Sequence, residues 1–236
     1  MRVAIVENTR VTHHGQVGVA LHERAAKIDL YKPWSDSRLP DPDSFDGLIV
    51  FGGEQSARDD HTHPYLPALA DLMRQTGESG KAVLGICLGS QLLARGLGAE
   101  NRLGTAREFG WCDVTLTDEG RADPVLSHLP ATFPIFQWHS DTFTLPPGTT
   151  RLAGSSVAQN QCFRTHRATY AMQFHFEASR AVVSDWNRIF PDAVTRMNPD
   201  WLGTHHPERA PVQGTAADAH GLAIARAWVG LIEIGT

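Results

Sequence analysis

Lys81-Ala-Val-Leu-Gly-Ile-Cys-Leu-Gly-Ser-Gln-Leu-Leu-Ala-Arg95 decides how this chain is read. Its first half, Ala82 to Ile86, is an apolar run that reads as a buried strand. Gln91-Leu92-Leu93-Ala94 reads as a helix with an apolar stripe. Between them lies Gly85-Ile86-Cys87-Leu88-Gly89, a cysteine flanked by glycines at a strand-to-helix junction. This is the pattern of a nucleophile elbow with Cys87 in the place more often held by Ser. Such a turn strains its central residue, and the glycines let neighbouring backbone pass close. The following helix aims its free N–H groups and positive dipole end at the sulfur, which favours a thiolate. The other reading of the same residues is a small apolar cysteine packed at the end of a core strand.

Working outward, the apolar runs Arg2–Val6, Lys27–Tyr31 and Phe45–Phe51 precede the elbow as further strands. Helical spacing over Val17–Ala26 and Tyr65–Thr76, the latter ended by Gly77, separates them. Glu7–His14, Pro33–Pro42 and Arg58–Pro64 are polar connections. A β-α-β-α-β succession implies a parallel sheet with helices on both faces. In such sheets functional residues gather at the carboxyl ends of the strands. Gly52-Gly53 and Cys87 both occupy such ends.

After Gly98 the texture changes. Phe109–Leu116, Phe133–Trp138, Leu152–Ala153, Ser156–Phe163 and Thr169–Phe174 read as short strands of a more antiparallel half. Ala178–Ile189 and Ala216–Ile232 read as helices, and the proline-rich Asn198–Gln213 as a loop. The fold class is α/β, a mostly parallel sheet with helices on both faces and an antiparallel extension. The chain reads as a single domain over residues 1–236, with 178–236 as a helical C-terminal part.

Composition narrows the function. The 236 residues carry a net charge of -5 with no basic block, which argues against nucleic acid as a partner. No apolar run approaches the roughly 20 residues of a membrane span. The first residues turn polar too soon for a signal peptide. Cys87, Cys112 and Cys162 cannot all pair and show no CxxC spacing, so a reduced, cytoplasmic setting fits best.

A nucleophilic cysteine needs a base, and the base needs a group that fixes its tautomer. Met172-Gln-Phe-His-Phe-Glu177 reads as the last apolar strand. It carries His175 and Glu177 two positions apart, hence on one strand face. The order nucleophile, His, Glu disfavours an α/β-hydrolase, in which the acid precedes the His.

These motifs resemble a known family. Gly85-Ile-Cys-Leu-Gly-Ser-Gln-Leu-Leu-Ala, Phe51-Gly-Gly-Glu-Gln-Ser, Trp138-His-Ser-Asp and Gln173-Phe-His-Phe-Glu177 are similar to those of class I (triad) glutamine amidotransferases. Among these, the match points to stand-alone proteins similar to the amidotransferase domain of GMP synthase. The resemblance runs from about Val3 to Glu177 and implies a flavodoxin-like fold. It implies Cys87 as nucleophile, His175 as general base and acid, and Glu177 as its orienting partner. It places the oxyanion hole at the backbone N–H groups of Gly53 and Leu88. It places Gln91, and with it His139, Ser140 and Asp141, at the α-amino-acid end of a glutamine substrate. Three positions depart from the family: Ser90 stands where His is usual, Phe176 where Pro is usual, and Glu54 where Pro is common.

The implied reaction releases ammonia from glutamine through a γ-glutamyl thioester and calls for no cofactor or metal. No ATP-binding G-x-x-x-x-G-K-[ST] is present. The resemblance leaves two fates for the amine. A separate synthetase subunit receives ammonia, or the chain acts alone on γ-glutamyl amides or peptides. Asn101–Trp111 and the surroundings of Trp138 are expected to line the pocket mouth. A partner-binding or sensing protein without turnover is the alternative of another class. A zinc site from Asp59, Asp60, His61 and His63, or from His205 and His206, is a third. Cys112 and Cys162 lack an elbow and read as packing residues.

Overall fold

The computed structural model describes residues 1–233. Five parallel strands build one half of a nine-stranded sheet: β1 (Arg2–Val6), β2 (Lys27–Tyr31), β3 (Gly47–Val50), β4 (Ala82–Ile86) and, later in the chain, β11 (Thr169–Met172). Their order is β2-β1-β3-β4-β11. Alternate residues of each strand enter two separate cores. Val3, Ile5, Ile49, Leu84 and Ile86 face one side. Ala4, Val6, Leu48, Val50 and Val83 face the other. Continuous apolar runs are what burial on both faces demands.

Helices α1 (Gly15–Glu23), α2 (Pro33–Asp36), α3 (Leu66–Glu78) and α4 (Leu88–Gly96) belong to this half. The buried residues of α1 join the first core, and those of α3 and α4 the second. Gly77 does not end α3, as expected, but lies inside it. A Cβ there would stand 2.7 Å from the Thr169 Oγ1, so the glycine admits β11 to the helix surface. Gly80, with φ +87°, follows the helix end.

The rest of the sheet is antiparallel. It uses β6 (Glu108–Leu116), β7 (Thr132–His139), β9 (Thr150–Gly154) and β10 (Cys162–Thr165), in the order β11-β10-β9-β6-β7. The expected strand Ser156–Phe163 is mostly turn. The Ser155 hydroxyl accepts from the Ala158 N–H at 2.9 Å, and pairing begins only at Cys162. Short β5 (Asn101–Arg102) and β8 (Thr142–Phe143) pair apart from the sheet, and α5 (Asp118–Arg121) leads out of β6. This half curls back on itself, because Phe136 of β7 bridges to His175 beyond the end of β11.

Helices α6 (Arg180–Ile189), α7 (Pro191–Met197), α8 (His206–Arg209) and α9 (Thr215–Val229) complete the described chain. The loop expected over Asn198–Gln213 is instead wound. Two π turns, Trp201–His205 and Ala210–Gly214, flank α8 and run straight into α9. Pro207 and Pro211 signal a break in a linear reading. Here the missing N–H donors fall at the starts of α8 and of the second π turn, where the winding changes geometry. Trp201, fully buried, anchors the segment against Phe109 and Trp111 at ring distances of 5.1 and 5.3 Å.

Candidate active site

The elbow forms because two glycines permit contacts that no side chain could. A Cβ on Gly85 would lie 2.4 Å from the Gly89 carbonyl oxygen. One on Gly89 would lie 2.0 Å from that of Val50. So α4 starts directly on top of β3 and β4. Cys87 between them takes φ 51° and ψ -109°, a conformation that side-chain-bearing residues rarely adopt. Its N–H donates to the Met172 carbonyl at 2.8 Å, which ties the strained residue to β11. Ser90, fully buried, donates its hydroxyl to the Cys87 carbonyl at 2.6 Å. The small serine thus fits under the elbow and closes its first turn.

His175 and Glu177 meet Cys87, but not by the expected route. Regular pairing of β11 ends at Met172, and the following residues turn. The strand-face argument therefore fails. The Ala178 N–H donates back to the His175 carbonyl at 3.3 Å, and the turn this closes brings the Glu177 carboxylate to the imidazole. Glu177 Oε1 lies 2.7 Å from His175 Nδ1. The His175 N–H donates to the Phe136 carbonyl at 2.8 Å, so β7 holds the histidine backbone. The parallel half supplies the sulfur, and the antiparallel half holds the ring that serves it.

The turn is clamped from outside. A Cβ on Gly15, at the start of α1, would stand 1.9 Å from the Glu177 carbonyl oxygen. One on Gly221, inside α9, would stand 2.0 Å from that of Phe176. The Gln16 N–H donates to the Glu177 carbonyl at 2.9 Å. Phe176 itself is 1% exposed, packed against Phe174 in place of the usual proline.

Burial opposes protonation of the His175 ring. The Glu177 carboxylate, the Cys87 sulfur and the hydrogen bonds to both outweigh it, and they hold the imidazole proton well above the usual histidine range. The Cys87 thiol donates to the Trp138 carbonyl at 3.9 Å, and the sulfur shares a cleft with the His175 ring. Gly52 fits between them: a Cβ there would be 3.3 Å from the ring and 3.4 Å from the Cys87 Cβ. The Gly52-Gly53 loop is held by Asn8, whose Nδ2 donates to the Phe51 carbonyl at 2.8 Å. Gln55 adds to this by donating to the Asn8 carbonyl at 3.1 Å.

Two clefts open on the sulfur. The smaller, about 320 Å³, is lined by Gly53, Leu88, Gln91, His139, Ser140 and Asp141, among others. Gln91 donates to Gln173 Oε1 at 3.1 Å, and Asp141 accepts from the Gly104 N–H at 2.8 Å. The His139 side chain is turned inward, 1% exposed, with its Nε2 3.3 Å from Glu108. The larger cleft, about 430 Å³, is lined by His175 and Glu177, by Thr9, Val11, Thr12 and His13, and by Trp138, Trp186, Phe190, Ala193 and Arg196. Trp138 was foreseen at the mouth. Asn101–Trp111 does not line either cleft. Phe109 instead backs Trp138 at 5.3 Å between ring centres. The walls from α6 and α7 were missed, because their apolar residues carry an ordinary packing pattern.

The other candidates are structural. Asp60 pairs with Arg95, and Asp59 accepts from the Ser56 N–H. Among the described residues no group of three or more His, Cys, Asp or Glu side chains could hold a metal ion. Also among them, no helix is long and apolar enough to cross a membrane. Burial pushes the Cys112 thiol up to about 11 and the Cys162 thiol well above its usual range.

Residues 13–183 match the family model described as glutamine amidotransferase class-I. The chain belongs to that family. A glutamine amidotransferase-like protein of Salmonella typhimurium, YfeJ, is 31% identical over 180 residues, covering 69% of this amidotransferase-family chain and 75% of YfeJ. One subunit of the glutamine-hydrolyzing GMP synthase of Natronomonas pharaonis is 31% identical, covering 75% and 89%. A crystallised glutamine amidotransferase from Thermotoga maritima shares the fold of this amidotransferase, with a TM-score of 0.84 over 99% and 98% of the two chains at 24% identity.

Proposed function

We propose that this chain hydrolyses the side-chain amide of glutamine through a γ-glutamyl thioester on Cys87. The observation that carries the proposal is the His175 ring, held by Glu177 at 2.7 Å and placed beside the elbow sulfur in one cleft, with Gly52 between them. The Cys87 thiolate attacks the amide carbonyl, forming the S–C bond. Gly53 and Leu88, which line a cleft with Cys87, supply backbone N–H groups to the oxyanion. Such a donor is worth ~3 kcal/mol in the transition state. His175 gives its proton to the departing nitrogen as the C–N bond breaks. It then takes a proton from water, which hydrolyses the thioester to glutamate and restores the thiolate–imidazolium pair. Glu177 keeps the imidazole oriented throughout.

The smaller cleft takes the α-amino-acid end. Gln91 and Ser140 offer polar side chains there, and Asp141 has a second carboxylate oxygen for an ammonium group. His139 contributes by fixing the end of β7 rather than by contact, since Glu108 and the Asp141 carbonyl occupy its ring. Where glutamine is the substrate, a separate synthetase subunit would receive the ammonia, in keeping with the Natronomonas pharaonis relative, itself one subunit of a glutamine-hydrolyzing synthase.

The test is glutamine turnover by the purified chain, alone and with candidate synthetase subunits. Rapid quenching and mass spectrometry would follow the thioester. Ammonia and glutamate should appear in equal amounts, with a γ-glutamyl adduct on the peptide that contains Cys87. Undiminished turnover by Cys87→Ala would refute the proposal.

A further inference from the structure

We propose that the preferred substrate carries an aromatic amino acid, rather than ammonia, on the γ-glutamyl group. This rests on the thioester reading above and assigns the larger cleft its occupant. His175 must protonate the leaving nitrogen, so the leaving group lies on the His175 side of the sulfur. Of the two clefts at Cys87, only the one of about 430 Å³ is lined by His175 and Glu177. That cleft is therefore the leaving-group side.

Its chemistry does not suit ammonia. Val11, Trp138, Trp186, Phe190 and Ala193 form apolar walls. The three rings brace one another: Trp138 lies 5.6 Å from Trp186 and 6.1 Å from Phe190, both nearly edge-on. Trp186 also stands edge-on to His175 at 5.3 Å, so the wall reaches the proton donor itself. Ammonia, small and strongly hydrated, gains nothing from such walls. An aromatic side chain buries ~150–250 Å² and packs edge-on against rings of this kind.

Arg196 adds a charge requirement. It lines the same cleft, its side chain is exposed, and among the described residues it has no ion-pair partner. Its backbone carbonyl accepts from Arg107, which fixes the end of α7 independently of the guanidinium. A cation at the rim of an apolar slot matches a ring and a carboxylate on one small molecule. The α-carboxylate of an aromatic amino acid supplies that pair. Glu54 lines both clefts, and its carboxylate accepts from the Thr9 hydroxyl at 3.3 Å.

The step balances as ordinary amide hydrolysis. The S–C bond forms, the C–N bond to the amino acid breaks, and the His175 proton goes to its nitrogen. Water then yields glutamate, so one water is consumed and no oxidant or reductant is required.

The experiment compares kcat/KM for glutamine, γ-glutamyl-glycine, γ-glutamyl-phenylalanine and γ-glutamyl-phenethylamide, which lacks only the carboxylate of the third. γ-Glutamyl-phenylalanine should exceed glutamine and γ-glutamyl-glycine by about tenfold or more, the scale of burying one ring in a specificity pocket. It should also exceed the phenethylamide by about fivefold, as a partly exposed Arg–carboxylate contact allows. Arg196→Gln should erase that last ratio, mainly through KM. Phe190→Ala should shrink the first. Glutamine or γ-glutamyl-glycine turned over as well as the phenylalanine compound would overturn this inference and leave the thioester reading standing. Cleavage of none of the four would sink both. A phenylalanine-to-phenethylamide ratio unchanged in Arg196→Gln would overturn the carboxylate assignment.

Discussion

Cys87 and Cys162 are both buried and stand on opposite sides of the same residue. Met172 of β11 accepts the Cys87 N–H through its carbonyl and pairs in register with Cys162 of β10. Their surroundings differ in every other respect. Cys87 ends a parallel strand, starts a helix, holds a strained φ of 51° and meets an imidazole. Cys162 opens an antiparallel strand within the first core, and burial pushes its thiol far up. Composition and depth are shared, so neither explains reactivity. What separates the two is the carboxyl end of a parallel strand, leading into a helix, against the first residue of an antiparallel one. A strand end leaves a helix N-terminus and a neighbouring turn free to aim at the sulfur.

The comparison can be broken most directly with an alkylating agent. Iodoacetamide should label Cys87 in the native chain and leave Cys162 untouched, as read by peptide mass spectrometry. Cys87→Ala should remove that labelling and lower turnover by ~10⁴-fold or more, the scale of losing a nucleophile. Equal labelling of both cysteines would remove the distinction.

Next in size is the architecture of the elbow. Gly89→Ala places a methyl 2.0 Å from the Val50 carbonyl oxygen, and backbone on both sides must move. We expect a loss of ~3 kcal/mol or more in denaturant unfolding, with kcat falling alongside. A stable, fully active Gly89→Ala would show that the close packing of α4 on β3 is not what sets the sulfur in place.

Glu177→Gln sharpens the role of the imidazole. Turnover should fall, by less than on losing the nucleophile, as for a missing orienting carboxylate. The His175 titration, followed by NMR, should move down toward the usual histidine range, since the Glu177 charge is among the causes that raise it. The sign of the stability effect follows. A proton held more tightly in the folded state stabilises it fully below the unfolded value of 6.5, and this gain fades as pH rises through the higher folded value. Unfolding free energies of the parent and Glu177→Gln should therefore converge at alkaline pH. A gap that widened there would contradict the assignment.

The smallest effect is expected at the other cysteine. Cys162→Ala removes one buried sulfur, which costs ~1 kcal/mol in unfolding free energy. It should leave kcat/KM unchanged.

The parallel half was legible because its signals are local. Apolar runs, helical spacing and the Gly85–Gly89 pattern each lie within a dozen residues, and the strands and main helices formed where they were read, though Gly77 lies inside α3 and α2 inside the expected connection. His175 and Glu177 were legible as residue types, but their geometry was not. The sequence suggests a strand face, whereas a turn beyond Met172 makes the contact. The wound segment over 201–214 was hidden because prolines signal loops in a linear reading. Here two of them fall at the starts of α8 and of the second π turn, and buried Trp201 anchors the segment. The aromatic cleft was hidden for a related reason. Trp186 and Phe190 look like core residues until the fold places them beside the sulfur.

The glycine clamps on the His175–Glu177 turn carry a further consequence. Gly15 sits toward one end of the chain and Gly221 toward the other, the latter beyond the 13–183 segment that the family shares. Neither residue has a reactive side chain, yet each lets its segment pack directly on a carbonyl of the turn that carries the imidazole. The aim of the imidazole is thus inherited from remote scaffolding, and mutagenesis restricted to the shared segment would overlook half of what steadies it.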